Sequence, residues 1–286
     1  MTIYLSSPAA PSIYGVAETE EWLTLGSKFM IFLRLPAMKN RNRQIISMLD
    51  DKTNRIWMIH AYFDLWREDI KRVKILLQSQ EHYLEAILVL LCFIGALAAE
   101  RFPGRGDRDA YIKIINRYSG LKSVYNKVDL LFFYQWPRSH YRRSKSKHSL
   151  PYRKIAGYSK IKKKIVRCFG DEQEISNDDK KRYIPISRLL KHLDPPPKGC
   201  NRKTILENLK LFTLSEILYR YFRCHAIHEK SFPLIRRISY GDGTTRYEDG
   251  HLITGPLIFE TVRNIVNNLG DECLSKKKLP QKLINR

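Results

Sequence analysis

Ala86–Ala99 reads AILVLLCFIGALAA, fourteen residues without a charge. The run is too short to cross a bilayer, which takes about 20 apolar residues. It is also apolar all round, unlike a surface helix, which keeps a polar face. It therefore reads as the buried central helix of a folded domain, extended by its flanks to about Ser79–Arg101 and stopped at Phe102-Pro103-Gly104. A buried helix needs helices around it that each turn one apolar stripe inward. The flanking sequence supplies them.

Upstream, Ile59, Phe63, Trp66, Ile70, Val73 and Leu77 recur in steps of three and four, predicting an amphipathic helix over Ile56–Leu77. An earlier helix is expected from Glu18 to about Leu35, ended by Pro36, after a Ser-, Pro- and Ala-rich arm over residues 1–17. Downstream, Asp107 is expected to cap a helix reaching Tyr118, followed by a short one over Val124–Tyr134. Residues 186–193 predict another, closed by Pro195-Pro196-Pro197. A long helix over Thr204–His228 carries Leu211, Leu214, Leu218 and Phe222 on one stripe. Two strands, Leu234–Tyr240 and Arg246–Ile253, flank the Gly241-Asp242-Gly243 turn. A last helix over Leu257–Leu269 ends at Gly270. The expected fold is mainly α: a helical bundle with a small β-hairpin near the C-terminus. The expected organisation is an arm and helices over 1–77, a main domain over 78–270, and a basic tail over 271–286.

The charge balance is unusual. Fifty-one Lys and Arg stand against 29 acids, a net +22. Such an excess repels itself in a compact state, so it answers a polyanion. Twelve of those cations lie between Pro137 and Arg167, with no acid among them. They are Arg138, Arg142, Arg143, Lys145, Lys147 and Arg153, then Lys154, Lys160, Lys162, Lys163, Lys164 and Arg167. With Tyr141, Tyr152 and Tyr158 interleaved, this insertion (about 137–180) reads as a segment that tracks nucleic-acid phosphates and stacks on unpaired bases. The alternative is a solvated loop of unusual charge. Asp171–Asp179 is an acidic stretch able to fold back on it.

Five scattered cysteines without CxxC spacing fit free thiols in a reducing compartment rather than a disulfide frame or a zinc ribbon. The N-terminus lacks the pattern of a secretory leader, so the expected location is cytoplasmic, with no membrane partner. No phosphate-binding glycine loop, HExxH or nucleophile elbow is present.

What carries chemistry is the end of the last long helix, LYRYFRCHAIHE over residues 218–229. An Arg and a neutral His suffice to cleave RNA without metal. The imidazole takes the 2′-OH proton and the guanidinium stabilises charge gathering on the phosphoryl oxygens. Arg223-x4-His228 resembles the R-x4–6-H signature of the HEPN superfamily of ribonucleases, and the preceding LLCFIGALAAERFPGRGDRDAYIKIINRYSG resembles its larger bacterial members. The likeness covers roughly residues 78–270.

The resemblance implies a homodimeric, metal-independent endoribonuclease without cofactor. Arg223 would be the phosphate clamp, His228 the base, and the products a cyclic phosphate and a 5′-hydroxyl. RNA is favoured over DNA as partner, and an acidic inhibitor or antitoxin protein fits the toxin–antitoxin and defence roles common in the family. The chain departs from the pattern at Cys224, where a polar residue is usual, and at Lys230, where some branches carry Tyr. His225 reads either as a packed core residue or as a second catalytic imidazole. The rival function is a non-catalytic nucleic-acid-binding or assembly protein.

Spacing alone does not choose the pair, since six Arg/His pairs satisfy it: Arg55/His60, Arg142/His148, Arg143/His148, Arg220/His225, Arg223/His228 and Arg246/His251. On an ideal α-helix, moreover, five residues place two side chains roughly 140° apart. Arg223 and His228 would then need a distorted helix, or a second subunit, to converge on one phosphate.

Overall fold

In the computed structural model, residues 52–138, 155, 157–242 and 245–282 are described. The expected arm over residues 1–17, the helix over 18–35 and most of the basic run lie outside them. The chain divides after Asn54, and the elements below belong to residues 55–286 apart from the first turn of α1.

Twelve α-helices and two small antiparallel sheets make up the described chain. Helix α1 is Lys52–Gln78, α2 Tyr83–Arg101 and α3 Asp107–Tyr118. The short α4 (Lys122–Tyr125), strand β1 (Lys127–Asp129) and α5 (Leu130–Gln135) follow, the last continued by a 3₁₀ turn, Trp136–Arg138. Next among the described residues come α6 (Tyr158–Phe169), α7 (Glu172–Ser176), α8 (Asp179–Arg182), β2 (Tyr183–Pro185) and α9 (Ile186–His192). Then α10 (Arg202–Lys210) and α11 (Leu214–Ile217) lead into a π-helix, Leu218–Glu229. The hairpin β3 (Ile235–Ser239) and β4 (Thr245–Asp249) and helix α12 (Gly255–Lys276) complete the order.

Helix α2 is 19 residues long and apolar enough to cross a membrane by length and composition, but it sits inside the fold. Ala86, Ile87, Leu90, Leu91, Ile94 and Leu97 are fully buried. Helix α1 covers one side, with Trp66 edge-on to Phe93 at 5.0 Å and Tyr62 hydrogen-bonded to Glu100. Helix α12 covers another, pinned by Glu272 to Arg101, Arg117 and Tyr118. Helix α3 and the π-helix close the bundle. A second layer of short elements surrounds Phe212, whose ring meets Phe132, Phe133 and Trp136 at 5.0–6.2 Å.

The mainly α class with one C-terminal hairpin is as expected, and four local expectations are corrected. Gly270 does not end the last helix, which runs on to Lys276; its missing Cβ makes room for the Phe63 ring, 3.3 Å from where that atom would be. Asp107 does not cap α3: Gly106 holds the cap position and the Asp107 carboxylate is used elsewhere. The helix expected over Val124–Tyr134 is split by β1, which pairs with β2 in the register Val128↔Ile184. The long helix over Thr204–His228 is broken at Leu211–Thr213. There Phe212 C=O accepts from Asp129 N–H and Thr213 bridges Val128, while the N–H groups of Leu211, Phe212 and Thr213 turn back to Asn208, Leu209 and Lys210. Within the acidic stretch Asp171 and Glu174 form a reciprocal cap on α7; most of the basic run it was expected to meet lies outside the described residues.

Candidate functional site

The π-helix decides the geometry at Arg223 and His228. Its hydrogen bonds run from residue i to i+5, so the fifth residue returns to roughly the same side of the helix as the first. Arg223 and His228 are spaced by five, and the winding therefore aligns what an α-helix would set apart. The segment ends at Lys230, in the left-handed region at φ 49°, whose N–H bonds back to His225 C=O. His228 is exposed at this end, whereas Arg223 lies mostly inside.

Arg223 reaches across α2 and α3. Its Nη1 and Nη2 donate to the two carboxylate oxygens of Asp107 at 2.7 and 3.1 Å, a fork-to-fork pair. The Tyr219 hydroxyl donates to the same carboxylate at 2.9 Å. The guanidinium lies 5.3 Å from the ring centres of both Tyr111 and Tyr219, a cation–π contact on two sides. Gly95 of α2 provides the passage: a Cβ there would stand 3.3 Å from Arg223 Nε. That Nε is buried and, among the described residues, has no hydrogen-bond partner. Burial pushes the neighbouring Cys224 thiol up, so it is a packed thiol rather than a thiolate.

His225 faces the other way. It is buried, its Nδ1 is 2.7 Å from Glu229 Oε2, and its ring stacks on Tyr221 at 5.8 Å. Arg220 is likewise committed, bonding Glu216, a carboxylate 1% exposed that Arg108 also grips at 2.9 and 3.1 Å. So Arg220/His225, with the same spacing as Arg223/His228, is two internal pairings. Arg246/His251 is split: Arg246 stacks on Tyr240 in the hairpin, and His251 is buried in the core. Arg55 and His60 are exposed on α1. The two pairs ending at His148 lie outside the described residues.

Of the basic candidates, Arg142, Arg143, Lys145, Lys147, Arg153 and Lys154 also lie outside, and Arg138 ends the 3₁₀ turn after α5. Lys160, Lys162, Lys163, Lys164 and Arg167 are gathered on α6, which buries Ile161, Ile165 and Phe169 along its other face. Lys162 is tied down, donating to Tyr134 C=O at 3.1 Å over the ring of the same residue.

A second buried polar cluster was not visible from spacing. Asp129, fully buried, receives the Arg182 fork at 2.9–3.2 Å and lies 2.8 Å from His251 Nε2. Ile253 N–H donates to His251 Nδ1 at 3.1 Å, which leaves Nε2–H to donate to Asp129. Asp129 also caps α5 through Phe132 N–H. Burial alone would raise the Asp129 pKa, but the hydrogen bonds from His251 and Arg182 and the charge of Arg182 hold it below the usual carboxylate range. The cluster ties β1, β2 and the approach to α12 together. Among the described residues, no group of three or more His, Cys, Asp or Glu could hold a metal ion.

Sequence reasoning named Arg223 and His228 as candidates but did not name Asp107, Tyr219, Tyr111 and Gly95 as the residues around the arginine. Three of them lie in the stretch that carries the family resemblance, so the signal was present without its geometry. Compared with protein-family models, with curated proteins and with solved structures, the chain gives no significant match.

Proposed function

We propose that this chain is a metal-independent endoribonuclease of the HEPN kind, acting as a homodimer, with its reaction centre on the π-helix. What supports the reading is the i→i+5 winding of Leu218–Glu229, under which residues five apart come round toward the same side of a helix. His228, exposed, takes the proton from a ribose 2′-OH. The 2′-oxygen forms a bond to the adjacent phosphorus, the 5′-oxygen leaves and is protonated by water, and a 2′,3′-cyclic phosphate remains. Arg223 supplies charge to the phosphoryl oxygens. The Asp107 carboxylate holds the guanidinium fork where a phosphate would be received, so the substrate phosphate exchanges with it.

A second reading rests on that same ion pair. An arginine whose fork is filled by Asp107 and whose Nε is buried acts as a structural pin, and the chain then binds RNA without cutting it. One experiment separates the two. Purified protein is incubated with RNA in EDTA, and products are tested for cyclic phosphate. Cleavage that His228→Ala abolishes while binding persists supports the enzyme. Binding without cleavage by the unaltered protein, under all conditions tried, supports the second reading.

A further inference from the structure

Helix α6, the described part of the basic run, belongs to a larger charged face. Helix α6 packs beside α9, and two of its lysines grip the loop that leads from α9 to α10. Lys160 Nζ donates to Lys198 C=O at 2.9 Å, and Lys164 Nζ to Pro195 C=O at 2.6 Å. These bonds bring Lys198 alongside α6. Arg188 of α9 lies over the Phe169 ring of α6 at 5.9 Å, with His192 edge-on to the same ring at 4.9 Å. Lys160, Lys163, Arg167, Arg188, Lys191 and Lys198 are all exposed. Across α6, α9 and their loop the opposing carboxylate is Asp194 alone.

We propose that α6, α9 and the 193–201 loop form one composite face that holds the phosphate backbone of RNA without reading its bases. The inference rests on the reading that the protein binds RNA, and it is independent of whether Arg223 and His228 cleave it. Three features favour an RNA backbone. The cations come from three segments that are held together, Lys160 and Lys164 by backbone carbonyls of the loop and Arg188 by the Phe169 ring, so part of the row is arranged before binding and loses less entropy. The Phe169 ring is 8% exposed and already covered by Arg188 and His192, and the Tyr158 hydroxyl is held by Phe133 C=O, which favours contact with phosphate over contact with base. The face offers no lipid anchor: the exposed large hydrophobics among the described residues are Trp57, Leu65, Ile75, Ile227 and Tyr240, none of them on this face.

The test compares the full chain with Arg188→Ala/Lys191→Ala/Lys198→Ala, three substitutions that lie outside the Pro137–Arg167 run. Binding of a labelled single-stranded RNA is followed by fluorescence anisotropy across a salt series, with circular dichroism to check folding. The triple variant should remain folded, bind about tenfold more weakly at low salt, and show a salt slope shallower by about 2, since each lost phosphate contact on a single strand removes roughly 0.7. Lys163→Glu/Arg167→Glu should weaken binding in the same way. Should both variants bind with the unaltered affinity and slope, the composite face is refuted while RNA binding stands. If the unaltered protein binds no RNA, the broader reading fails with it. Tighter binding to phosphatidylserine vesicles than to RNA, lost in the triple variant, would reassign the face to a membrane surface.

Discussion

At the scale of single residues, two side chains with similar partners do different work. Asp129 is fully buried and shared by Arg182 and His251, whereas Asp107 is half-exposed and serves Arg223. Removing a charge from a buried, fully paired group leaves its partner unpaired, at a cost of about 3–5 kcal/mol. Asp129→Asn should therefore lower thermal stability by more than ten degrees if the chain folds at all, whereas Asp107→Asn should cost about 1 kcal/mol or less, as for an exposed pair. Scanning calorimetry of the two variants decides this. The acid limb follows from the same geometry. The folded pKa of Asp129 lies below its unfolded value near 3.9, so its contribution is complete above about pH 4–5 and lost as pH falls toward the folded value. Below pH 4 the difference between the unaltered protein and Asp129→Asn should shrink. Gly95 sets a third test. Alanine is the better helix former by about 1 kcal/mol, yet its Cβ would press on Arg223 Nε. Gly95→Ala should leave the melting temperature within a few degrees and reduce RNA cleavage, because the guanidinium must shift by a few tenths of an ångström. Unchanged cleavage would show that the position of Arg223 is not critical.

At the scale of elements, legibility followed how local each cause was. Helix α2 could be read because an uncharged run has few other places to go, and the hairpin because two alternating stretches flank a Gly-Asp-Gly turn. The break at Leu211–Thr213 could not. Its residues continue an apolar stripe, and the break docks on β1, some 80 residues earlier in the chain, through the Phe212 carbonyl and the bridge between Thr213 and Val128. Gly270 looked like a stop because glycine usually marks one, but the pressure there comes from Phe63 on another helix. Asp107 looked like a cap because of its place before an apolar stripe; its partner, Arg223, is 116 residues away. The π winding is hidden for another reason. Over twelve residues, its apolar pattern differs too little from that of an α-helix to be told apart. Its terminus makes a prediction of its own. Lys230 holds a left-handed conformation that costs a side-chain-bearing residue about 1 kcal/mol and costs glycine almost nothing. Lys230→Gly should raise the melting temperature by a few degrees without altering RNA binding, as measured by thermal denaturation and anisotropy.

At the scale of the whole molecule, a net charge of +22 opposes its own compaction. Anything polyanionic that binds the folded state relieves this and stabilises by mass action, by about 2.7 kcal/mol at a hundredfold excess over Kd. Heparin or RNA should thus raise the melting temperature at low ionic strength, an effect that fades with added salt; a shift that persists at high salt would point to contacts other than charge. The winding of residues 218–229 has one last consequence, for genetics. A helix wound to i→i+5 carries surplus chain for its length, and a regular helix could absorb the loss of one residue there. Deleting Cys224 would let the backbone relax toward the commoner winding and leave Arg223 and His228 four residues apart, a spacing that an α-helix also keeps on one face. Such an allele should keep the protein's abundance and whatever the pair does together; loss of that activity would show that the winding does more than bring Arg223 and His228 to one side.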